Sequence, residues 1–221
     1  MVMKLNEKYI ALVTTQVLRQ ITEEQGYQYA VPIGISNRHV HLKKQDVEIL
    51  FGQGYTLNKL KDLKQTGEYA CRETVALMTE YQGKTFQISN VRILGPERGA
   101  TQVEISATDA RQLKINPPVR NSGNLDNSES ITLIGPKGRV TIEKGCIIAT
   151  RHLHLSIDDA KRMNVKSGDE VSVILDGEKA GRMDHVSCKV HENYVLELHI
   201  DTDDGNAFRV QSGDIARVLL P

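Results

Sequence analysis

Charge of one sign, paired cysteines and long apolar runs are all missing from this sequence, and each absence closes off a class of function. Twenty-eight basic residues balance 28 acidic ones, so no overall field draws the chain to nucleic acid or to an anionic membrane, and any anion it binds must be held locally. The three cysteines, Cys71, Cys146 and Cys188, are odd in number and have no Cys-x-x-Cys spacing. That fits a reducing compartment and argues against a cysteine-built zinc knuckle. No signal-peptide core and no apolar run of about 18 residues is present, so the expectation is a soluble, cytoplasmic protein with no membrane partner. A Gly-rich phosphate loop, a Gly-x-Ser-x-Gly elbow and the kinase motif set are missing too. If the chain is an enzyme, its machinery is metal and arginine. The bulk is ordinary: 221 residues, 39% hydrophobic and 25% charged, enough for one large or two small domains with their own cores.

What is present is a tetrapeptide that occurs twice, Arg38-His39-Val40-His41 and Arg151-His152-Leu153-His154, each followed by a leucine and then by a short helix-like run. Four of the seven histidines thus occupy two equivalent places. In an extended strand successive side chains alternate faces, so a His-x-His pair aims both imidazoles one way, roughly 7 Å apart at the backbone, while the residue between them faces the core. Such a pair suits a metal. A degenerate third copy is found by aligning Gln102-Val103-Glu104-Ile105-Ser106-Ala107-Thr108-Asp109-Ala110 with His152-Leu153-His154-Leu155-Ser156-Ile157-Asp158-Asp159-Ala160. Glu104 then falls on His154, which nominates it as an oxygen donor. His199 is a sixth candidate. The repeat favours two three-ligand sites, each with one His-x-His pair and one extra donor, either Glu104 or His199, leaving a coordination position open. His185 and His191 lie outside the repeat and read as solvent-facing or structural.

Around these motifs the pattern is mainly β with short helices. Residues 4–23 carry Ile10, Val13, Val17 and Ile21 on one narrow helical face. They are either a helix packed on its own domain or a detachable helix for a partner. Strand-like runs follow at 31–35, 72–81, 85–94 and 101–105, with Gln82-Gly83-Lys84 linking a hairpin. Residues 117–130 are polar and rich in turn formers, and read as a separator of two halves. Further strands at 131–134 and 139–142 are joined by Gly135-Pro136-Lys137-Gly138. A second repeat, Val165-Lys166-Ser167-Gly168-Asp169 and Val210-Gln211-Ser212-Gly213-Asp214, sets a tight turn before a strand. Repeated short strands with tight turns suggest closed barrels. The expected fold is two β-barrel domains related by an internal repeat, with an N-terminal helix. Their expected bounds are 1–29 for the helix and linker, 30–37 with 150–221 for one barrel, and 38–149 for the other.

Arg38 and Arg151 either brace their strands or touch substrate. Arg98 sits on the turn Gly95-Pro96-Glu97-Arg98-Gly99 just ahead of Glu104. There it can clamp an oxyanion, unless an ion pair with Glu97 or another acid occupies it. Asp201, Asp203 and Asp204 either orient imidazoles or form a polar turn. Cys146 lies near the second motif but has no base at a recognisable spacing, which weighs against a covalent acyl-enzyme.

Ser36-Asn37-Arg38-His39-Val40-His41-Leu42, Thr101-Gln102-Val103-Glu104-Ile105-Ser106, Arg120-Asn121-Ser122-Gly123, Arg151-His152-Leu153-His154-Leu155 and Leu198-His199-Ile200-Asp201-Thr202-Asp203 together resemble the PduL-type phosphotransacylases, the phosphate propanoyltransferases, over about residues 30–221. The resemblance implies two β-barrels, two zinc ions, and exchange of acyl-CoA plus phosphate with acyl phosphate plus CoA. It implies that His39, His41 and His199 hold one zinc and Glu104, His152 and His154 the other. It makes Arg98 the catalytic residue, and it suggests Arg120, Ser122 and Gly123 as the CoA-binding loop. Zinc and Arg98 would then hold phosphate beside the thioester, without a covalent intermediate. It also implies a place in propanediol degradation inside a bacterial microcompartment, with residues 1–25 docking to shell proteins, and leaves a homo-oligomer open. Gly205 departs from the acid or bulkier residue expected after Asp204. Two other readings of the same residues are a two-metal phosphohydrolase, which would usually need bridging aspartates, and a zinc-stabilised scaffold without catalysis.

Overall fold

The structure is a computed structural model, and it describes Val13, Gln16, Val17 and residues 29–219. Val13, Gln16 and Val17 are helical and exposed; the rest of the expected N-terminal helix lies outside the described residues. No helix among the described residues is long and apolar enough to cross a membrane.

The chain divides into two compact units. Unit 1 holds the first strand up to Ile35, Arg151–Ile200 and the segment from Asp204 onward; unit 2 holds Ser36–Thr150 with Asp201–Asp203. Unit 1 is a closed six-stranded barrel: β1 (Tyr29–Ser36), β13 (Glu197–Asp201), β10 (His152–Leu155), β12 (Gly181–Val190), β11 (Glu170–Leu175) and β14 (Ile215–Leu219), in that order around the ring. β1 closes the ring by pairing antiparallel with β14, Tyr29 opposite Val218.

Unit 2 closes in the same way. Its ring runs β4 (Tyr69–Tyr81), β5 (Lys84–Gly95), β2 (His39–His41), β6 (Gln102–Glu104), β9 (Arg139–Ala149) and β8 (Glu129–Ile134), which returns to β4. β3 (Lys59–Asp62) extends the sheet beside β4, and β7 (Val119–Arg120) pairs with β9. The fold is therefore the expected pair of barrels. Residues 117–130 do not part the halves: β7 and the start of β8 place them within unit 2.

Local sequence explains much of this. Gln82 and Gly83 both take positive φ, 50° and 71°, the turn whose twist matches a two-residue hairpin between β4 and β5. In the Ser-Gly-Asp repeat, Gly168 and Gly213 have φ of 91° and 97°, and the Asp169 and Asp214 carboxylates each accept from the backbone N–H three residues back at 2.8 Å. Two helices start from the aligned serines. α2 (Ala107–Leu113) is capped by Ser106 with Asp109 at its third position, and α3 (Ile157–Met163) by Ser156 with Asp159, each a reciprocal capping box. α1 (Lys44–Phe51) follows β2, and α4 (Thr202–Phe208) follows β13 directly. Each unit has its own core. Leu153, Leu155, Val173, Leu175 and Leu198 centre one; Val40, Leu42, Leu77, Ile93, Val103 and Leu133 centre the other. Fully burying each such side chain contributes about 1.5–3 kcal/mol.

Candidate functional site

Both His-x-His strands occupy the same place in their rings. β2 lies between parallel β5 and antiparallel β6, and β10 between parallel β12 and antiparallel β13. Val40 and Leu153 are fully buried in the two cores, so the flanking histidines share the opposite face, as the alternation requires. Ring centroids are 5.1 Å apart for His39 and His41 and 4.7 Å for His152 and His154.

Cross-strand register then completes each cluster. His39 stands directly opposite Glu104, and His152 directly opposite His199; residues so placed bring their side chains to one spot. In unit 2 the ligating atoms of His39, His41 and Glu104, and in unit 1 those of His152, His154 and His199, lie within 4.8 Å of one another. This grouping replaces the one implied by the resemblance, which set His199 with His39 and His41 and Glu104 with the second pair. The reason is topological. Along the chain Glu104 aligns with His154, because both lie on strands feeding capped helices. Around the ring β6 corresponds to β13, so the counterpart of Glu104 is His199.

The donor set fits a divalent cation. Nδ1 of His41 and Nδ1 of His154 are buried without a hydrogen-bond partner, an arrangement that leaves two nitrogen lone pairs unsatisfied unless something coordinates them. Both rings are held neutral. Burial, His39 and the Arg98 charge push the His41 pKa down to about 2, opposed by a hydrogen bond that the ring donates to the Leu94 backbone carbonyl. Burial, His199 and Lys189 push His154 down to about 3 while Glu197 opposes them. Neutral imidazole is the ligating form. His39 Nδ1 lies 2.9 Å from the Asn37 carbonyl, which turns Nε2 toward Glu104 Oε2 at 3.5 Å.

Arg98 joins the unit 2 cluster. Its N–H donates to Leu42 O (2.9 Å), fixing the turn against the strand exit, and its guanidinium reaches Ser122 Oγ and Glu68 Oε1, each at 3.2 Å. The acid partner is thus Glu68, while Glu97 meets Lys44. Ser122 and Gly123 both engage Gln102, which the sequence reading passed over: Gln102 Nε2 donates to Ser122 Oγ at 2.8 Å and to Glu104 Oε1 at 2.5 Å, and Gly123 N–H donates to Gln102 Oε1 at 2.8 Å. Arg120 instead turns its guanidinium to its neighbour's carbonyl, Val119 O, at 3.2 Å. The signal for Gln102 was its place two residues before Glu104, on the same strand face.

Arg38 pairs with the buried Asp109 carboxylate at 2.7 Å, and Arg151 with Asp204 at 2.7 Å. Both brace the helix that follows the third ligand's strand. Asp203 accepts from the Thr108 N–H at 2.8 Å; Asp203 and Asp204 lie in helix α4 and Asp201 ends β13, so the three do not form a polar turn. Gly205 is explained by packing, since a Cβ there would sit 2.6 Å from Ile35 Cδ1. His185 and His191 are exposed. Cys146 is buried, with its thiol pushed up to about 12 by burial and Glu129, which removes it as a nucleophile.

Two three-donor clusters, one of them beside a braced arginine, call for comparison with known proteins. A family model described as phosphate propanoyltransferase matches residues 32–211. This chain belongs to the phosphate propanoyltransferase family. Curated relatives of that name support the assignment over most of the chain. The one from Lachnoclostridium phytofermentans is 45% identical over 196 residues, 88% of this chain and 90% of its own. The Rhodobacter capsulatus protein is 47% identical over 168 residues, 76% of each. The Salmonella typhimurium protein is 44% identical over 182 residues, 82% of this chain and 84% of its own. Membership in the phosphate propanoyltransferase family makes the chain an acyltransferase acting with phosphate.

Proposed function

We propose that the chain interconverts acyl-CoA plus phosphate with acyl phosphate plus CoA, propanoyl being the preferred acyl group, and that His39, His41 and Glu104 hold one zinc ion while His152, His154 and His199 hold a second. The observation that carries the metal reading is the pair of orphaned buried nitrogens, His41 Nδ1 and His154 Nδ1, each within a three-donor cluster. Bound zinc supplies Lewis acidity for oxyanions.

The rest of the chemistry falls to side chains. The Arg98 guanidinium has five N–H donors in a planar fork, and Ser122 and Glu68 fix its plane while others remain for a phosphate oxygen. Phosphate held in this way attacks the thioester carbonyl carbon. A new O–C bond forms, the carbonyl electron pair moves onto oxygen and returns, and the C–S bond breaks to release CoA thiolate, which takes up a proton. Positioning and charge stabilisation supply the rate, without an acyl-enzyme. The loop at Arg120, Ser122 and Gly123 is assigned to CoA; the ties of Ser122 and Gly123 to Gln102 support its ordering. Residues 1–25 are assigned to docking on microcompartment shell proteins, consistent with exposed Val13 and Val17 on one helical face.

The test mixes purified protein with propanoyl-CoA and phosphate and follows free thiol. Release that requires phosphate and stops on metal chelation is expected. Release without phosphate would instead mean hydrolysis. Deleting residues 1–25 should leave this activity intact while abolishing co-assembly with shell proteins.

A further inference from the structure

We propose that Gln102 and Glu197 are matched positioning residues, each complementary to the third member of its cluster: an amide donor that fixes the Glu104 carboxylate, and a carboxylate acceptor that fixes the His199 imidazole. This rests on the metal reading above and goes beyond it by naming what sets the third ligands' geometry.

Gln102 stands opposite His41, and Glu197 opposite His154, so the two residues hold the same place in the two rings. Each lies two residues before the third ligand on the same strand face. Both are buried, at 2% and 6% exposure, where a polar side chain is costly unless it is paired.

Their contacts are chemical opposites. A carboxylate ligand can only accept, and Gln102 Nε2 donates to Glu104 Oε1 at 2.5 Å, leaving Oε2 toward His39. The amide's orientation is fixed from behind, because the Gly123 backbone N–H can only donate and so requires Gln102 Oε1 to face it, 2.8 Å away. An imidazole ligand needs its other nitrogen to donate, and His199 Nε2 lies 2.7 Å from Glu197 Oε2. The proton therefore sits on Nε2, and Nδ1 keeps its lone pair for the cluster. A carboxylate so placed orients a ligating histidine and raises its basicity.

Gly34 on β1 completes the arrangement. A Cβ there would come within 2.7 Å of Glu197 Cδ and 2.8 Å of His199 Cδ2, so the pair fits only against a bare backbone. Swapping the third ligand between oxygen and nitrogen thus comes with the matching swap of its neighbour, amide for carboxylate.

The experiment measures zinc stoichiometry and affinity by competition with a chromophoric chelator. Wild type should hold two ions. Glu197→Gln and Gln102→Glu should each weaken one ion by about 10–100-fold and leave the other unchanged. His199→Glu alone should lose one ion, and His199→Glu combined with Glu197→Gln should regain it, because that double variant reproduces the donor pairing of the other cluster. A merely structural role for Glu197 predicts no such rescue. Two tightly held ions in Glu197→Gln, or a double variant no better than His199→Glu, would overturn the proposal while leaving the metal reading intact. A wild type that binds no zinc would overturn both. Should His199→Glu fail to fold, the near-isosteric Glu197→Gln decides alone.

Discussion

Arg98 is the residue on which catalysis and architecture are easiest to separate. Its backbone N–H anchors the turn to Leu42 whatever the side chain, so Arg98→Ala should keep the fold and the zinc content. Removing a preorganised donor from developing charge costs about 10²-fold or more in rate. We expect kcat/KM to fall by at least that factor, and full activity would remove the clamp from the mechanism. The cysteines behave oppositely. Burial holds Cys71 and Cys188 up at about 11 and Cys146 at about 12, against 9.0 when unfolded. The folded thiols should resist a thiol reagent at pH 8, with all three reacting in denaturant. Below pH 9 both states hold these protons, and above it the unfolded chain ionises first. Stability is therefore lost as pH rises from 9 toward 11 to 12, which alkaline melting curves of wild type and Cys146→Ala would register. The six proposed ligands were legible as residues. Glu197 and Gly34 were not, and Gln102 only through its spacing from Glu104, because their roles are set by what stands opposite them, and register is absent from a linear string.

At the scale of elements, turns and caps were the readable part. The Ser-x-x-Asp boxes, the Gln82-Gly83 hairpin and the Ser-Gly-Asp turns each follow from local chemistry. What the turn at Gly135-Pro136-Lys137-Gly138 does was not readable, since it depends on a distant helix. Lys137 N–H donates to Leu50 O at 3.0 Å, ending α1, and a Cβ on Gly135 would meet that same carbonyl at 2.5 Å. Backbone cannot yield as a side-chain tip can. Gly135→Ala should therefore destabilise by about 1–3 kcal/mol, read as a drop of several degrees in Tm. Gly205→Ala meets only the flexible end of Ile35 and should cost less. The misassigned partners of Glu104 have the same origin: alignment found the strand that leads into a capped helix, whereas ligand grouping follows the neighbour across the ring.

Across the whole molecule, each cluster is built by one unit from its own strand pair. Metal counting checks this directly. Glu104→Ala and His39→Ala, alone or together, should each leave one zinc per chain. Glu104→Ala combined with His154→Ala should leave none. Under the grouping implied by the resemblance, Glu104→Ala with His39→Ala would empty both sites instead. Two barrels were legible from the repeats, and one was expected to be built from two separate stretches of chain, 30–37 and 150–221.

That distribution bears on the order of synthesis. Unit 1 opens with β1 and closes only when β14 pairs with it, at Tyr29 opposite Val218. The whole barrel of unit 2 lies between those two strands in the chain. On the ribosome every strand of the unit 2 ring emerges by Ala149, so it can close while β1 is still without its partners. The second barrel waits until β14 has left the tunnel. The nascent chain thus carries β1 without its ring partners until β13 and β14 emerge, and the His39 cluster can be complete before the His152 cluster exists.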